Sequence, residues 1–385
     1  MRHYNSLFHQ LLQRVPWDRF AAAVDRHGAD ARVRRLSTKS QLVALLHAQL
    51  SGASSLREIE AALSSHSARL YHLGVKAPAR STLADANAKR PAAVFNVLFV
   101  ELVKLAHPGL RRMTRDAVHL IDSTSLRLSD LSADWASRRA DDIAVKAHVD
   151  YSADGGVPTH FAITPCRAND ITVAKAWAIA PGETYVFDLG YYDFAWFSKL
   201  HVSGCRFVTR LKDNTRPRLI EARAVAAGSP IRADRIVAIE NRLRSARGRS
   251  NPLSGIPLRE VVVVIQTGKT LRILSNDLEA PAEAIAELYK TRWQIELFFR
   301  WIKQHLKIKR FLGTSENAVR IQIAVALIAF VLLRLASEAV RATTDLTTFA
   351  RLVRANLMHR RPLDRLDKPP PTPLHDPRQH ELYLC

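Results

Sequence analysis

The residues of this chain best suited to chemistry form one stripe. Across 288–310, LYKTRWQIELFFRWIKQHLKIKR, the residues Tyr289, Arg292, Glu296, Arg300, Lys303, Lys307 and Arg310 recur at helical spacing. At about 100° per residue they share an arc of roughly 80° on a single predicted helix. Almost everything off the stripe is apolar or aromatic, including Trp293, Ile295, Leu297, Phe298, Phe299, Trp301 and Ile302, so most of the helix is expected to be buried and the stripe to line a cleft. Arg292 and Arg300, at i−4 and i+4, could simply neutralise Glu296. The cations and hydroxyl donors nevertheless exceed what one acid needs, and surplus cations in a partly dry groove are costly unless an anion arrives. A phosphate chain would be such an anion.

Two further acids come from strands. From Ala117 the apolar pattern changes to that of β structure: 117–122 (AVHLID) continuing through 125–128, then 143–152, a turn at 153–156, and 157–164. A helix follows around 171–179, then a short strand at 184–187 that delivers Asp188, a helix near 193–201 and a strand at 205–211. Three meandering strands, a helix, a strand, a helix and a strand is the order of an RNase H-like sheet. Its first and fourth strands are neighbours, so Asp122 and Asp188 are expected to approach each other. With Glu296 they make three carboxylates in one cleft, which stay ionised together only if cations join them. Two Mg²⁺ ions suit such oxygen donors. They would activate a water or a 3′-hydroxyl and stabilise the leaving oxygen of an in-line phosphoryl transfer.

The composition agrees with a polyanionic partner. Lys and Arg number 57 against 36 acids in 385 residues, a net charge of +21. The longest apolar run, 321–333, stops at Arg334, short of the roughly 20 residues a bilayer requires, and is read as a core helix. Three widely spaced cysteines, Cys166, Cys205 and Cys385, indicate a reducing compartment and no structural zinc. The cytoplasm, beside nucleoid DNA, is the expected location.

Around this core the chain divides into an all-helical segment 1–108, a catalytic domain 109–335 with a β insertion at about 212–278, and a helical region 336–385 ending in a Pro-rich basic tail. The overall class is α/β, of the α+β kind. In the first segment 1–20 is amphipathic, 37–50 and 54–63 are capped helices, and a third helix, 81–90, carries Arg80, Lys89 and Arg90 at its ends. Through Arg90 there are 14 Lys or Arg and 6 acids, so 81–90 is expected to be the reader helix of a DNA-binding unit, with a packing bundle as the alternative. The Arg-rich stretch 241–250 of the insertion is expected to be a phosphate-contacting or solvated flap.

These residues carry a resemblance. Tyr289-x2-Arg292-x3-Glu296-x6-Lys303 matches the YREK signature of bacterial insertion-sequence DDE transposases of the insertion-sequence-four group, preceded by Asp122 in HLIDST and Asp188 in VFDLGYYD. The opening MRHYNSLFHQLLQRVPW is similar to the start of these proteins. The resemblance implies a cut-and-paste transposase with Asp122, Asp188 and Glu296 as ligands of two Mg²⁺, replaceable by Mn²⁺. It implies Tyr289, Arg292 and Lys303 on DNA phosphates, with the terminal inverted repeats and target DNA as partners and a homodimer in the synaptic complex. Hairpin-forming relatives are expected to stack a flipped base on a Trp of the insertion, and this insertion has none. Two other readings share the acids: an RNase H-like nuclease or resolvase, and a catalytically silent DNA-binding descendant.

Overall fold

The computed structural model of the chain describes residues 5–106, 117–139, 142–240, 251–306 and 311–368. Seven helices come first: α1 (Leu7–Leu12), α2 (Trp17–Arg26), α3 (Thr38–Ser51), α4 (Leu56–Ser65), α5 (Ser67–Leu70), α6 (Arg80–Lys89) and α7 (Ala93–Ala106). Pro16, at the N-cap of α2, divides the amphipathic stretch that the sequence presents as continuous. Next come β1 (Val118–Arg127), β2 (Ser137–Arg139), β3 (Asp142–Ser152), β4 (Val157–Pro165), α8 (Asp170–Ala176), β5 (Thr184–Phe187), α9 (Phe194–Val202) and β6 (Arg206–Arg210). The insertion adds β7 (Arg218–Arg223), β8 (Ile231–Ala238), β9 (Pro257–Val264) and β10 (Thr270–Ser275). Then follow α10 (Ala282–Thr291), α11 (Trp293–His305), α12 (Glu316–Ala339) and α13 (Leu346–Asn356).

One sheet runs β2-β3-β1-β5-β6-β10-β9-β8-β7, with β4 paired to β3. β1 is antiparallel to β3 and parallel to β5, and β5 is parallel to β6. That is the RNase H-like arrangement, and it makes β1 and β5 neighbours. The insertion continues the same sheet, because β10 pairs antiparallel with β6. Its inward charges are matched: Arg259 grips both oxygens of buried Asp234 at 2.8 and 2.6 Å, and Arg272 binds buried Glu260. The expected flap at 241–250 lies outside the described residues.

The sheet has a core on each face. α8 and α9 cover one with Phe187, Trp196, Phe197 and Phe207. On the other, α11, α12 and the N-terminal helices share a single core with β1, β3 and β4. α12 lies at its centre; it is long and apolar enough to cross a membrane by length and composition, but 83% of its apolar window is buried inside the protein. The basic tail, expected to be poorly ordered, is packed at its start: Gln10 holds the Arg361 carbonyl and the Leu363 amide, and Leu363 and Leu366 are buried.

The key helix is not one helix. It begins earlier, at Ala282, and breaks at Arg292 into α10 and α11. At the break the Arg292 N–H bonds the Tyr289 carbonyl and the Ile295 N–H bonds that of Arg292, three-residue steps in place of four, while the Thr291 hydroxyl donates to the Leu288 carbonyl. Trp293 and Leu297, expected to be buried, are 49% and 45% exposed.

A buried ion cluster ties together the strands that carry the acids. His119 on β1 lies between Asp150 of β3, 2.9 Å from Nδ1, and Glu183 just before β5, while His160 of β4 also reaches Asp150. Burial alone would lower the His119 pKa, but Asp150 and Glu183 push it up to about 10, and the histidines in turn hold Asp150 well below the usual carboxylate range. The folded pKa of His119 lies above its unfolded value of 6.5, so its stabilisation is full below about pH 6.5 and is lost as pH rises through about 10. We predict that urea unfolding shows stability declining across that window. We also predict that His119→Ala removes the decline and costs about 3–5 kcal/mol at pH 7, because it strands two buried carboxylates.

Candidate active site

Asp122 stands mid-strand on β1, with Val149 of β3 as its partner. β5 pairs with β1 as far as Phe187 beside Ile121, so the next residue, Asp188, leaves the sheet next to Asp122. Asp188 caps the following turn, its Oδ1 accepting the Gly190 N–H at 2.8 Å. Glu296 comes from the first turn of α11, which lies on β1 through a core shared by Phe298, Phe299, Leu126 and Val149.

What joins two of them, Asp122 and Glu296, is Arg292. Its guanidinium is 3.5 Å from Asp122 Oδ2 and donates to Glu296 Oε1. Burial opposes the Arg292 charge, but Tyr289, Glu296 and Asp122 outweigh it and keep the group protonated. Asp122 responds in the other direction. Burial raises its carboxyl, the Ser123 N–H and Arg292 lower it, Asp188 and Glu296 raise it further, and the balance is about 7. Three oxygen-donor side chains whose charges press on one another suit a hard divalent cation. Among the described residues, however, no three His, Cys, Asp or Glu side chains come close enough for a single ion to bind them all at once. Arg292 supplies the positive charge between them.

The rest of the stripe divides. Tyr289 is buried, with the Arg292 guanidinium 5.9 Å above its ring, so it supports Arg292 instead of facing the cleft. Lys303 donates to Thr124 Oγ1 at 2.5 Å, on the face of β1 that carries Asp122. Arg300 is exposed and lies 5.6 Å over the Trp293 ring. Lys307 and Arg310 fall outside the described residues.

In the helical segment Arg80 opens α6 and is exposed, and Lys89 is exposed 3.9 Å from Asp85. Arg90 is a correction: it was expected to face DNA, but it is only 7% exposed. It turns inward to the Leu36 carbonyl and to Gln41, so its charge is satisfied inside the helical region.

Two neighbours of the site left no sign in the sequence. Asp170, at the start of α8, approaches Asp188 across Gly190: a Cβ on Gly190 would lie 3.0 Å from Asp188 Oδ1 and 3.4 Å from Asp170 Oδ2, so a larger residue there would crowd both acids. Lys146 of β3 holds Asp170 at 2.7 Å. An Asp in the first turn of a helix is an ordinary partner of the helix dipole, so the sequence does not single this one out.

Several known proteins are similar to this chain. A family model described as "Transposase DDE domain" matches residues 114–332, and a domain of unknown function matches residues 3–76. A protein of Sinorhizobium fredii named as transposase y4zB is 39% identical over 294 residues, 76% of this chain and 82% of that one. A protein of Geobacillus stearothermophilus named as the transposase of insertion sequence element IS5377 is 28% identical over 291 residues, 74% of each. Among solved structures, a piggyBac transposase chain from a synaptic complex with hairpin DNA aligns with 98% of this chain and 84% of its own at a TM-score of 0.47 and 10% identity.

Because Asp122 titrates near 7 when folded and at 3.8 when free, its ionisation counts against the folded state at neutral pH. Its favourable contribution is complete below about pH 3.8 and is lost as pH rises through about 7. Asp122→Asn, a neutral replacement of nearly the same shape, should therefore raise the Tm of the metal-free protein at pH 8 by a few degrees and leave it unchanged at pH 4. Thermal melts at the two pH values check this.

Proposed function

The chain belongs to the DDE-domain transposases, and we propose that it excises and inserts its own insertion sequence by cut-and-paste, with Asp122, Asp188 and Glu296 as the catalytic carboxylates. The observation that carries this reading is that one half-buried guanidinium, Arg292, contacts both Asp122 of β1 and Glu296 of α11, while Asp188 follows the end of β5 beside Asp122 and raises its pKa. Two Mg²⁺, with Mn²⁺ able to substitute, would supply the positive charge that lowers the pKa of the attacking water or 3′-hydroxyl and offsets the charge on the leaving oxygen. The chain's own groups orient the scissile phosphate. Arg292 exchanges its carboxylate partners for a phosphate oxygen, Tyr289 holds the guanidinium from beneath, and Lys303 anchors α11 to β1 at Thr124 while adding charge to the cleft. The substrates are the terminal inverted repeats and target DNA, brought together by a homodimer.

Asp122→Ala, Asp188→Ala and Glu296→Ala should each abolish cleavage of a plasmid carrying the element's flanking repeats with Mg²⁺ or Mn²⁺. Binding of those ends should stay within about tenfold of wild type, because few phosphate contacts are lost. Cleavage and gel-shift assays on the same preparations decide it, and a variant that still cuts removes that residue from the set.

The excision route turns on one aromatic. A hairpin intermediate requires the terminal base to leave the stack, and an aromatic face offsets that by about 1–3 kcal/mol. No Phe, Tyr or Trp lies in 212–288, and Tyr289 is buried. Trp293 is 49% exposed, three residues before Glu296, and already carries Arg300 over its ring. We propose that it is the stacking platform. Trp293→Ala should lose the double-length product on denaturing gels while keeping the first nick; a wild-type reaction that yields only open 3′-hydroxyl ends rejects the hairpin route.

A further inference from the structure

The inward turn of Arg90 exposes the logic of a loop that the sequence did not single out. Residues 27–37 join α2 to α3, inside the region matched by a domain of unknown function. Arg26, Arg32, Arg34 and Arg35 are all exposed there, and among the described residues none of the four makes an ion pair. The acid of the loop faces the other way. Asp30 Oδ1 accepts from the Thr38 amide and hydroxyl, both at 2.7 Å, and lies 3.7 Å from Arg90.

This outward-facing basic arc is held rigidly from beneath. Arg90 bonds the Leu36 carbonyl and Gln41 Oε1, Gln41 bonds Asn87, and Asn317 of α12 bonds the Asn87 and Arg90 carbonyls at 2.9 and 2.6 Å. Thr38 and Gln41 are fully buried and Asn87 is 4% exposed, so the network fixes the loop, the end of α6 and the start of α12 as one unit. Arg32 also holds a left-handed backbone at φ 62°, a conformation that a side-chain-bearing residue keeps only when its surroundings impose it. Loose solvated arginines would require neither the strain nor the buried scaffold.

We propose that the α2–α3 loop is a phosphate-binding surface for duplex DNA, with Arg32, Arg34 and Arg35 as its contacts and Arg26 at its edge. The proposal rests on the transposase reading for its partner. It moves the main backbone contact of the helical region from α6 to this loop: the exposed face of α6 offers Ser81, Ala84, Asp85 and Ala88 with Arg80 and Lys89 at its ends, whereas the loop offers fixed positive charge with no acid facing outward from it. Contacts of this kind go to the backbone, so they set affinity and position without reading sequence.

The test uses the full chain and fluorescence anisotropy on a labelled duplex of the element's end and on a scrambled duplex of equal length, over a range of salt. The triple variant Arg32→Gln, Arg34→Gln, Arg35→Gln should lower the log-log salt slope by about 2 to 3 units, roughly 0.9 per lost contact, and weaken both duplexes by about tenfold or more. The corresponding Lys triple should keep the slope, and both should melt as wild type does, since these side chains are exposed. Wild-type binding with an unchanged slope in the Gln triple overturns the loop assignment alone. A wild-type protein that binds neither duplex overturns it together with the reading beneath it.

Discussion

Three carboxylates cannot remain charged together in a half-buried cleft without positive charge among them, and the catalytic region is arranged around that constraint. The parallel pairing of β1 with β5 forces Asp122 and Asp188 together, and the packing of α11 on β1 adds Glu296. Arg292 answers the repulsion from one side, at the break between two helices. The break itself follows from this: Arg292 sits where α10 ends, and Thr291 satisfies the Leu288 carbonyl that a continuous helix would have bonded internally. Burial first, and then Asp188 and Glu296, push the Asp122 carboxyl up to about 7 against the pull of the Ser123 N–H and Arg292.

The same accounting of charge separates what is fastened from what is presented elsewhere in the chain. Inside, each cation has an acid or a carbonyl: His119 with Asp150 and Glu183, Arg259 with Asp234, Arg90 with Leu36 and Gln41. These pairs are buried, so removing one partner is costly, and they fix the relative positions of strands and helices. Among the described residues, exposed cations such as Arg32, Arg34 and Arg35 make no ion pair and can meet solvent or a polyanion.

Much of this was legible in the sequence because it depends on short periods. Alternation over 117–128 and 143–164 marked β1, β3 and β4, and the strand at 184–187 placed Asp188 at its end, so two of the three acids and their adjacency followed from element order. Helical periodicity likewise put Glu296, Arg300 and Lys303 on one face. It could not reveal the break at Arg292, because a single three-residue step barely disturbs a hydrophobic pattern averaged over several turns. Nor could it give the direction of a charge. Arg90 and Arg34 are the same residue type in the same basic segment, and only the long-range contacts of Gln41, Asn87 and Asn317 turn one inward and leave the other facing out. The insertion was legible as β structure, but how it joins the sheet was not: the partner of β10 is β6, about 60 residues back, and pairing between distant segments leaves no local signature.

Arg292 also bears on the order in which ligands enter the site. One guanidinium cannot pair at full strength with Asp122 and Glu296 and with a phosphate at the same time. When a DNA phosphate draws it away, the carboxylates regain the repulsion it had relieved, and a divalent cation becomes more strongly bound than before. Each ligand thus favours the other, by an amount that must be equal whichever binds first.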